Sequence, residues 1–212
     1  MKKAKRIFIT IEGPEGSGKS THSKLLCDFL KNKGYEVVHS REPGGAAISE
    51  SIRKILLDKD NKDMDAKCEL LLFLAARAQI VSEIIKPALK RDCVVVCDRF
   101  HDATVAYQGY GAGIDLKLIE SIGKFVSGGI KPELTILLDV KTEEGLRRAG
   151  AKDRMESKSL RFHKRVRRGY LALAKKEPHR VKLIRTEGEI EQVQDKIRKE
   201  VSKLFNKKTH YR

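Results

Sequence analysis

Gly13-Pro-Glu-Gly-Ser-Gly-Lys-Ser20 fits the pattern G-x-x-x-x-G-K-[ST] at every position. The apolar run Ile7–Ile11 precedes it and a helical pattern opens at Lys19, which is the strand–loop–helix context the pattern requires. Glycines let successive backbone N–H groups turn inward around phosphate oxygens, and the helix N-terminus adds partial positive charge. Lys19 is expected to reach the β- and γ-phosphates, and the Ser20 hydroxyl to ligate Mg²⁺. The expected phosphate contacts are Gly13, Pro14, Glu15, Gly16, Ser17, Gly18, Lys19, Ser20 and Thr21. This stretch implies a nucleoside triphosphate ligand.

Outward from the loop, short apolar runs alternate with helical patterns. Strands are expected at Arg6–Ile11, Glu36–Ser40, Cys93–Cys97, Leu134–Leu138 and Val181–Arg185. Most are continuous apolar or β-branched runs, as strands buried on both faces should be. Helices are expected at Lys19–Lys33, Ile48–Leu57, Ala66–Lys90 with a kink or break near Pro87, Leu116–Val126, Ser157–Lys176 and Glu189–Phe205. The alternation predicts an α/β fold with a parallel sheet and helices on both faces. Residues 206–212 are expected to be a disordered basic tail after a single domain spanning 1–205.

The 212 residues suit one compact domain. No apolar run approaches the ~20 residues of a membrane span, and the run after the basic start ends at Glu12, too short for a signal peptide. A cytoplasmic protein is expected. Four cysteines are scattered without a CxxC pair, and Cys93 and Cys97 stand about 13 Å apart along a strand, too far to bridge. The six histidines show no metal-ligand spacing. The net charge of +16 is uneven: residues 1–140 carry 22 basic and 19 acidic side chains, residues 141–212 carry 23 and 10. Such a cationic half suits an anionic partner, whether nucleic acid, membrane surface or phosphorylated small molecule.

An NKxD guanine reader is absent, since Asn61-Lys-Asp63 lacks its spacing. Four further segments point to a small-molecule kinase. Arg41-Glu-Pro-Gly-Gly45 follows the second strand and offers an arginine and paired glycines to a second phosphate. Val94-Val-Val-Cys-Asp-Arg99 ends a strand in an Asp-Arg pair at the carboxyl edge of the sheet, where ligands bind in open α/β folds. Asp98 is suited to holding a metal-bound water, with Asp139 as a rival, and Arg99 to bridging two phosphates; the alternative is a structural ion pair. Phe73 and Arg77 share a helical face and together suit a flat base, with plain core packing as the alternative for Phe73. Arg147, Arg148, Lys152 and Arg154 fall in a glycine-containing stretch between two helices, either a solvated basic loop or a mobile lid at about 147–156. In the lid reading Arg147 and Arg148 contact the ATP phosphates.

In order along the chain, the P-loop, REPGG, LLLFLAAR, DRF, AYQGYG, GGIKPELTILLD and DRME segments resemble bacterial-type thymidylate kinases. The resemblance covers about Ile7 to Phe205. It implies the nucleoside monophosphate kinase fold, a three-layer arrangement with a five-stranded parallel sheet, usually as a homodimer. It also implies ATP-dependent phosphorylation of dTMP with Mg²⁺, without specific nucleic-acid binding or a membrane partner. By the same resemblance Glu15 receives the deoxyribose 3′-hydroxyl, Phe73 stacks on thymine and Arg77 bonds a base carbonyl. Thr104 and Gln108 would lie at the base edge, Tyr107 beneath the sugar, and Arg41 and Arg99 on the acceptor phosphate. Gly16 stands where some relatives carry an arginine, so the lid is expected to supply the catalytic charge through Arg154 with Arg147 or Arg148. Ala46 and Ala103 stand where the family often has threonine and serine. The readings weighed against this one are a P-loop kinase for another nucleotide or metabolite, a nucleic-acid-binding ATPase and a catalytically idle binding module.

Overall fold

The computed structural model describes residues 6–150 and 153–209. Five parallel strands form one sheet in the order β2-β3-β1-β4-β5: β1 Ile7–Glu12, β2 Val37–Arg41, β3 Val94–Asp98, β4 Leu134–Asp139 and β5 Val181–Arg185. The central β1 pairs with β3 (Ile9 opposite Val96) and with β4 (Ile9 opposite Leu134). Every residue of β1, β3 and β4 is buried, which explains their unbroken apolar runs.

Alternate side chains serve the two faces. Ile7, Ile9, Ile11, Val94, Val96, Ile136 and Leu138 pack against α1 (Lys19–Asn32) and α9 (Ile190–Thr209) through Leu26, Leu30, Val193, Ile197 and Val201. Phe8, Val95 and Cys97 face the other way, towards Ile80, Ile85, Ala88 and Phe100. The remaining core joins α3 (Ala66–Ile80), α6 (Leu116–Ser127) and α8 (Leu160–Lys176) through Leu70, Leu74, Ile119, Phe162, Val166 and Tyr170. Helix α2 (Ala47–Leu57) packs on α3.

Several boundaries differ from the sequence expectation. The long helix does not break at Pro87. A π-helical turn at Val81–Ile85, where Lys86 N–H reaches Val81 C=O, precedes the short α4 (Lys86–Lys90) and absorbs the proline's missing donor and its bulk. A second π-helical stretch, Val105–Gly111, continues α5 (His101–Thr104). Arg147 and Arg148 lie in the last turn of an additional helix, α7 (Thr142–Ala149), rather than in a loop. Helix α9 continues to Thr209, so residues 206–209 are helical instead of a frayed tail, and 210–212 lie outside the described residues. Among the described residues no helix is long and apolar enough to cross a membrane. All four cysteines are unpaired.

Candidate active site

The carboxyl ends of β1, β3 and β4 carry the chemistry. The loop after β1 threads between backbones: a Cβ on Gly13 would lie 2.3 Å from the Leu138 carbonyl oxygen, and one on Gly16, at φ +65°, would lie 2.0 Å from that of Gly145 in α7. Helix α7 therefore rests directly on the loop, glycine against glycine, and leaves no room for a side chain at Gly16. Lys19 is 7% exposed and donates to the Pro14 carbonyl (2.7 Å) and Ser17 Oγ (3.3 Å). Burial and the Arg99 charge pull its pKa down to about 8, so it keeps its proton at neutral pH.

Ser20 Oγ donates to Asp98 Oδ2 at 2.6 Å, which brings the two oxygen donors expected near a magnesium ion together. A hydroxyl and one carboxylate suit Mg²⁺, which keeps several waters and takes substrate phosphates as its other ligands. The rival Asp139 is gripped by Arg167 at 2.7 and 2.9 Å, with both carboxylate oxygens engaged. Among the described residues no group of three His, Cys, Asp or Glu side chains is arranged to hold a metal.

Arg99 follows β3 with φ +70°, a backbone strain for a non-glycine residue that hydrogen bonds from its backbone and side chain hold in place. Its N–H donates to Ile11 C=O (3.0 Å), and its guanidinium reaches Glu15 Oε2 (2.9 Å) and the hydroxyls of Tyr107 (3.1 Å) and Tyr170 (3.2 Å). Tyr107 donates to Glu15 Oε1 at 2.6 Å. Burial opposes ionisation of Glu15, but Arg99 and Lys19 outweigh it and lower its pKa to about 2.

A cleft of about 550 Å³ runs from the loop (Glu15, Lys19, Ser20) past Arg99 to Phe73, Arg77, Thr104 and Gln108. Arg77 is 2% exposed: Nε donates to Glu42 Oε2 (2.7 Å), and Nη2 to Phe100 C=O and Thr104 Oγ1. Arg41 lies on the exposed rim, paired with Glu50 at 3.0 Å. Arg148 borders the cleft, whereas Arg147 is 75% exposed, and both are bound to Glu144.

Arg154 requires a correction. The sequence reading put it over the transferring phosphates, yet it is 5% exposed and tied to Glu69 (2.7 Å) and the Leu56 carbonyl (2.8 Å), and it does not border the cleft. Burial beside a carboxylate won over exposure because α3 presents Glu69 inward. Lys152, also assigned to the lid, lies outside the described residues.

Three residues were missed. Arg53 of α2 borders the cleft and donates to Pro43 C=O at 2.8 Å. The available signal was its i+4 spacing from Ser49, which is buried. Glu12 is fully buried, accepting from Phe100 N–H (2.7 Å) and the Tyr170 hydroxyl (2.9 Å). Burial and the Asp102 charge push its pKa up to about 8. Tyr170 reads as core from its spacing and is core, but its hydroxyl also links Arg99 to Glu12.

The thymidylate kinase family profile matches residues 11–197. A thymidylate kinase of Syntrophotalea carbinolica is 45% identical over 208 residues, covering 94% of this chain and 96% of that protein. One of Geotalea daltonii is 52% identical, covering 84% and 87%. The crystal structure of thymidylate kinase from Ehrlichia chaffeensis superimposes with a TM-score of 0.78 at 39% identity, covering 93% of this chain and 98% of that one.

Proposed function

We propose the following residue roles on the premise that this chain belongs to the thymidylate kinase family and, with ATP as donor, phosphorylates dTMP to dTDP. The observation that carries them is the single cleft joining the P-loop to a pocket walled by Phe73, Arg77, Thr104 and Gln108. Its volume falls within the usual range for a small-molecule site.

The P-loop backbone from Gly13 to Thr21 and Lys19 hold the ATP phosphates. Ser20 and Asp98, the latter through water, hold Mg²⁺, which when bound screens the phosphate charge. On the acceptor side Phe73 stacks on the base, Arg77 and Thr104 meet its carbonyl edge and Tyr107 lies under the sugar. Glu15, ionised and therefore an acceptor, takes the 3′-hydroxyl. Arg41, Arg53 and Arg99 bind the dTMP phosphate.

That phosphate has its second pKa near ~6 and is already a nucleophile, so no strong general base is needed. Its oxygen attacks the γ-phosphorus while the bond to the ADP oxygen breaks. Lys19, Arg99 and Arg148 offset the charge that spreads over the moving group. Lys19→Ala should lower kcat by at least about a thousandfold. A coupled assay of ADP release reads the effect, and a variant retaining more than a tenth of the activity would remove the cradle from the mechanism.

We also infer a homodimer. Ile48 and Ile55 of α2, Leu71 of α3, and Leu118 and Phe125 of α6 are large apolar side chains left exposed on neighbouring helices, and a second copy would cover them. We place the enzyme in the cytoplasm, consistent with its unpaired cysteines.

A further inference from the structure

Glu69 lies on α3, one turn before Phe73 and two before Arg77, with no solvent exposure. Three donors converge on its carboxylate: Arg154 Nη1 (2.7 Å) and Lys158 Nζ (2.8 Å) on Oε2, and Gln108 Nε2 (3.0 Å) on Oε1. Burial works against ionisation here, but the hydrogen bonds from Lys158 and Gln108 outweigh it and hold the pKa below the ordinary carboxylate value. An ionised carboxylate only accepts hydrogen bonds. Gln108 therefore has one admissible orientation, with its NH₂ turned to Glu69 and its carbonyl turned away.

Gln108 borders the cleft, and among the described residues no donor reaches its Oε1. Arg77 borders the same cleft, and its Nη1 is a buried donor without a partner. Glu42 Oε1 is a further buried acceptor without a partner in that lining, and Gln108 with Arg77 makes an acceptor–donor pair. Thymine and uracil present an N3–H donor between two carbonyl acceptors, which matches this pair. Cytosine presents the reverse, an acceptor at N3 and an amine beside it. Turning the Gln108 amide over to suit cytosine would point its carbonyl at the Glu69 carboxylate.

We propose that Glu69 is a specificity-positioning residue: it holds the Gln108 carbonyl towards the bound base and so sets the preference for an N3-protonated pyrimidine over cytosine. The inference rests on the reading that seats the base beside Phe73 and Gln108.

The test compares kcat/KM for dTMP, dUMP and dCMP in the unaltered enzyme, Glu69→Gln and Gln108→Ala. An amide at position 69 both donates and accepts, so the inverted Gln108 becomes available. In Glu69→Gln the dCMP-to-dTMP ratio should rise at least about tenfold, the loss of one hydrogen-bond mismatch. The dUMP-to-dTMP ratio should stay constant, because those bases share the N3–H edge. Merely structural damage lowers all three substrates together, and an unchanged dCMP ratio would overturn the proposal. Gln108→Ala separates the two levels: full kcat/KM for dTMP there removes the base-site reading itself. Should Glu69→Gln not fold, neutron diffraction from the unaltered protein decides the matter. Deuterons on Gln108 Nε2 directed at Glu69 are expected, and the inverted amide would refute the assignment.

Discussion

Arg154→Ala separates a structural cation from a catalytic one. The side chain is 5% exposed, its Nη1 lies 2.7 Å from Glu69 Oε2 and its Nε 2.8 Å from the Leu56 carbonyl. Removing one member of a buried pair typically costs about 3–5 kcal/mol, because the remaining charge is left uncompensated. Here Lys158 and Gln108 stay on Glu69, which places the electrostatic loss near the low end, about 3 kcal/mol. The orphaned Leu56 carbonyl adds about 1 kcal/mol. For a chain of this size each kcal/mol moves Tm by about 2–4 °C, so the melting point should fall by roughly 8–16 °C. At 20 °C, well below the transition, kcat per folded molecule should stay within about threefold of the parent. Differential scanning calorimetry and a steady-state assay normalised to folded protein read the two quantities. An unshifted Tm combined with a hundredfold loss of kcat would refute the reasoning, since Arg154 would then act on the phosphates and not on Glu69. Arg148→Ala should do the opposite, lowering kcat by at least about a hundredfold with Tm unchanged.

Glu12 should make stability depend on pH. Its folded pKa of about 8 lies above the ordinary 4.5, so the folded state binds more protons between these values and stability falls as pH rises through that window. At about 1.4 kcal/mol per pH unit the upper bound is roughly 5 kcal/mol. Urea unfolding of Glu12→Gln at pH 5.5, 7 and 8.5 should show the variant gaining on the parent as pH rises, and parallel curves would remove the buried acid from the account. Ala46 occupies the N-cap of α2 in an extended conformation and offers no side-chain cap. Ala46→Ser should raise stability by about 0.5–1 kcal/mol in the same assay, and a loss would mean the buried site rejects the hydroxyl. Phe125, 84% exposed on α6, is the strongest candidate contact between subunits. Phe125→Glu should shift the sedimentation coefficient from dimer to monomer, and an unshifted dimer would place the interface elsewhere.

The sheet was legible because its strands are buried on both faces and read as unbroken apolar runs, and the P-loop because glycine, lysine and serine spacing answers directly to phosphate geometry. Helix α7 was not legible. Thr142–Ala149 carries two glutamates and two arginines, with Leu146 its only large apolar side chain, so it shows no apolar stripe. What seats it is a backbone approach between Gly145 and Gly16, and that leaves no trace in hydropathy. Arg154 failed for a related reason. In a polar segment an arginine reads as exposed, and the partner that buries it lies 85 residues away, at the head of the apolar run Leu70–Ala76 of α3. The glutamate of that helix was the overlooked clue, since an acid beside so apolar a stretch implies a cation brought to it.

Two carboxyl groups flank Arg99, and their surroundings send them in opposite directions. Glu15, bonded directly to Arg99, is held ionised at about 2 by Arg99 and Lys19 despite its burial, while Glu12, linked to it through Tyr170, is pushed up to about 8. The separation has a physical use in a cleft that must receive two phosphorylated nucleotides. Were both ionised, Arg99 would sit between two anions and its charge would be cancelled before a phosphate arrived. A protonated Glu12 still anchors Tyr170 and the Phe100 N–H, and therefore the strained turn at Arg99, without adding that second negative charge. A neutral Glu12 thus holds Arg99 through the Tyr170 hydroxyl and leaves Glu15 as the carboxylate directly paired with the guanidinium.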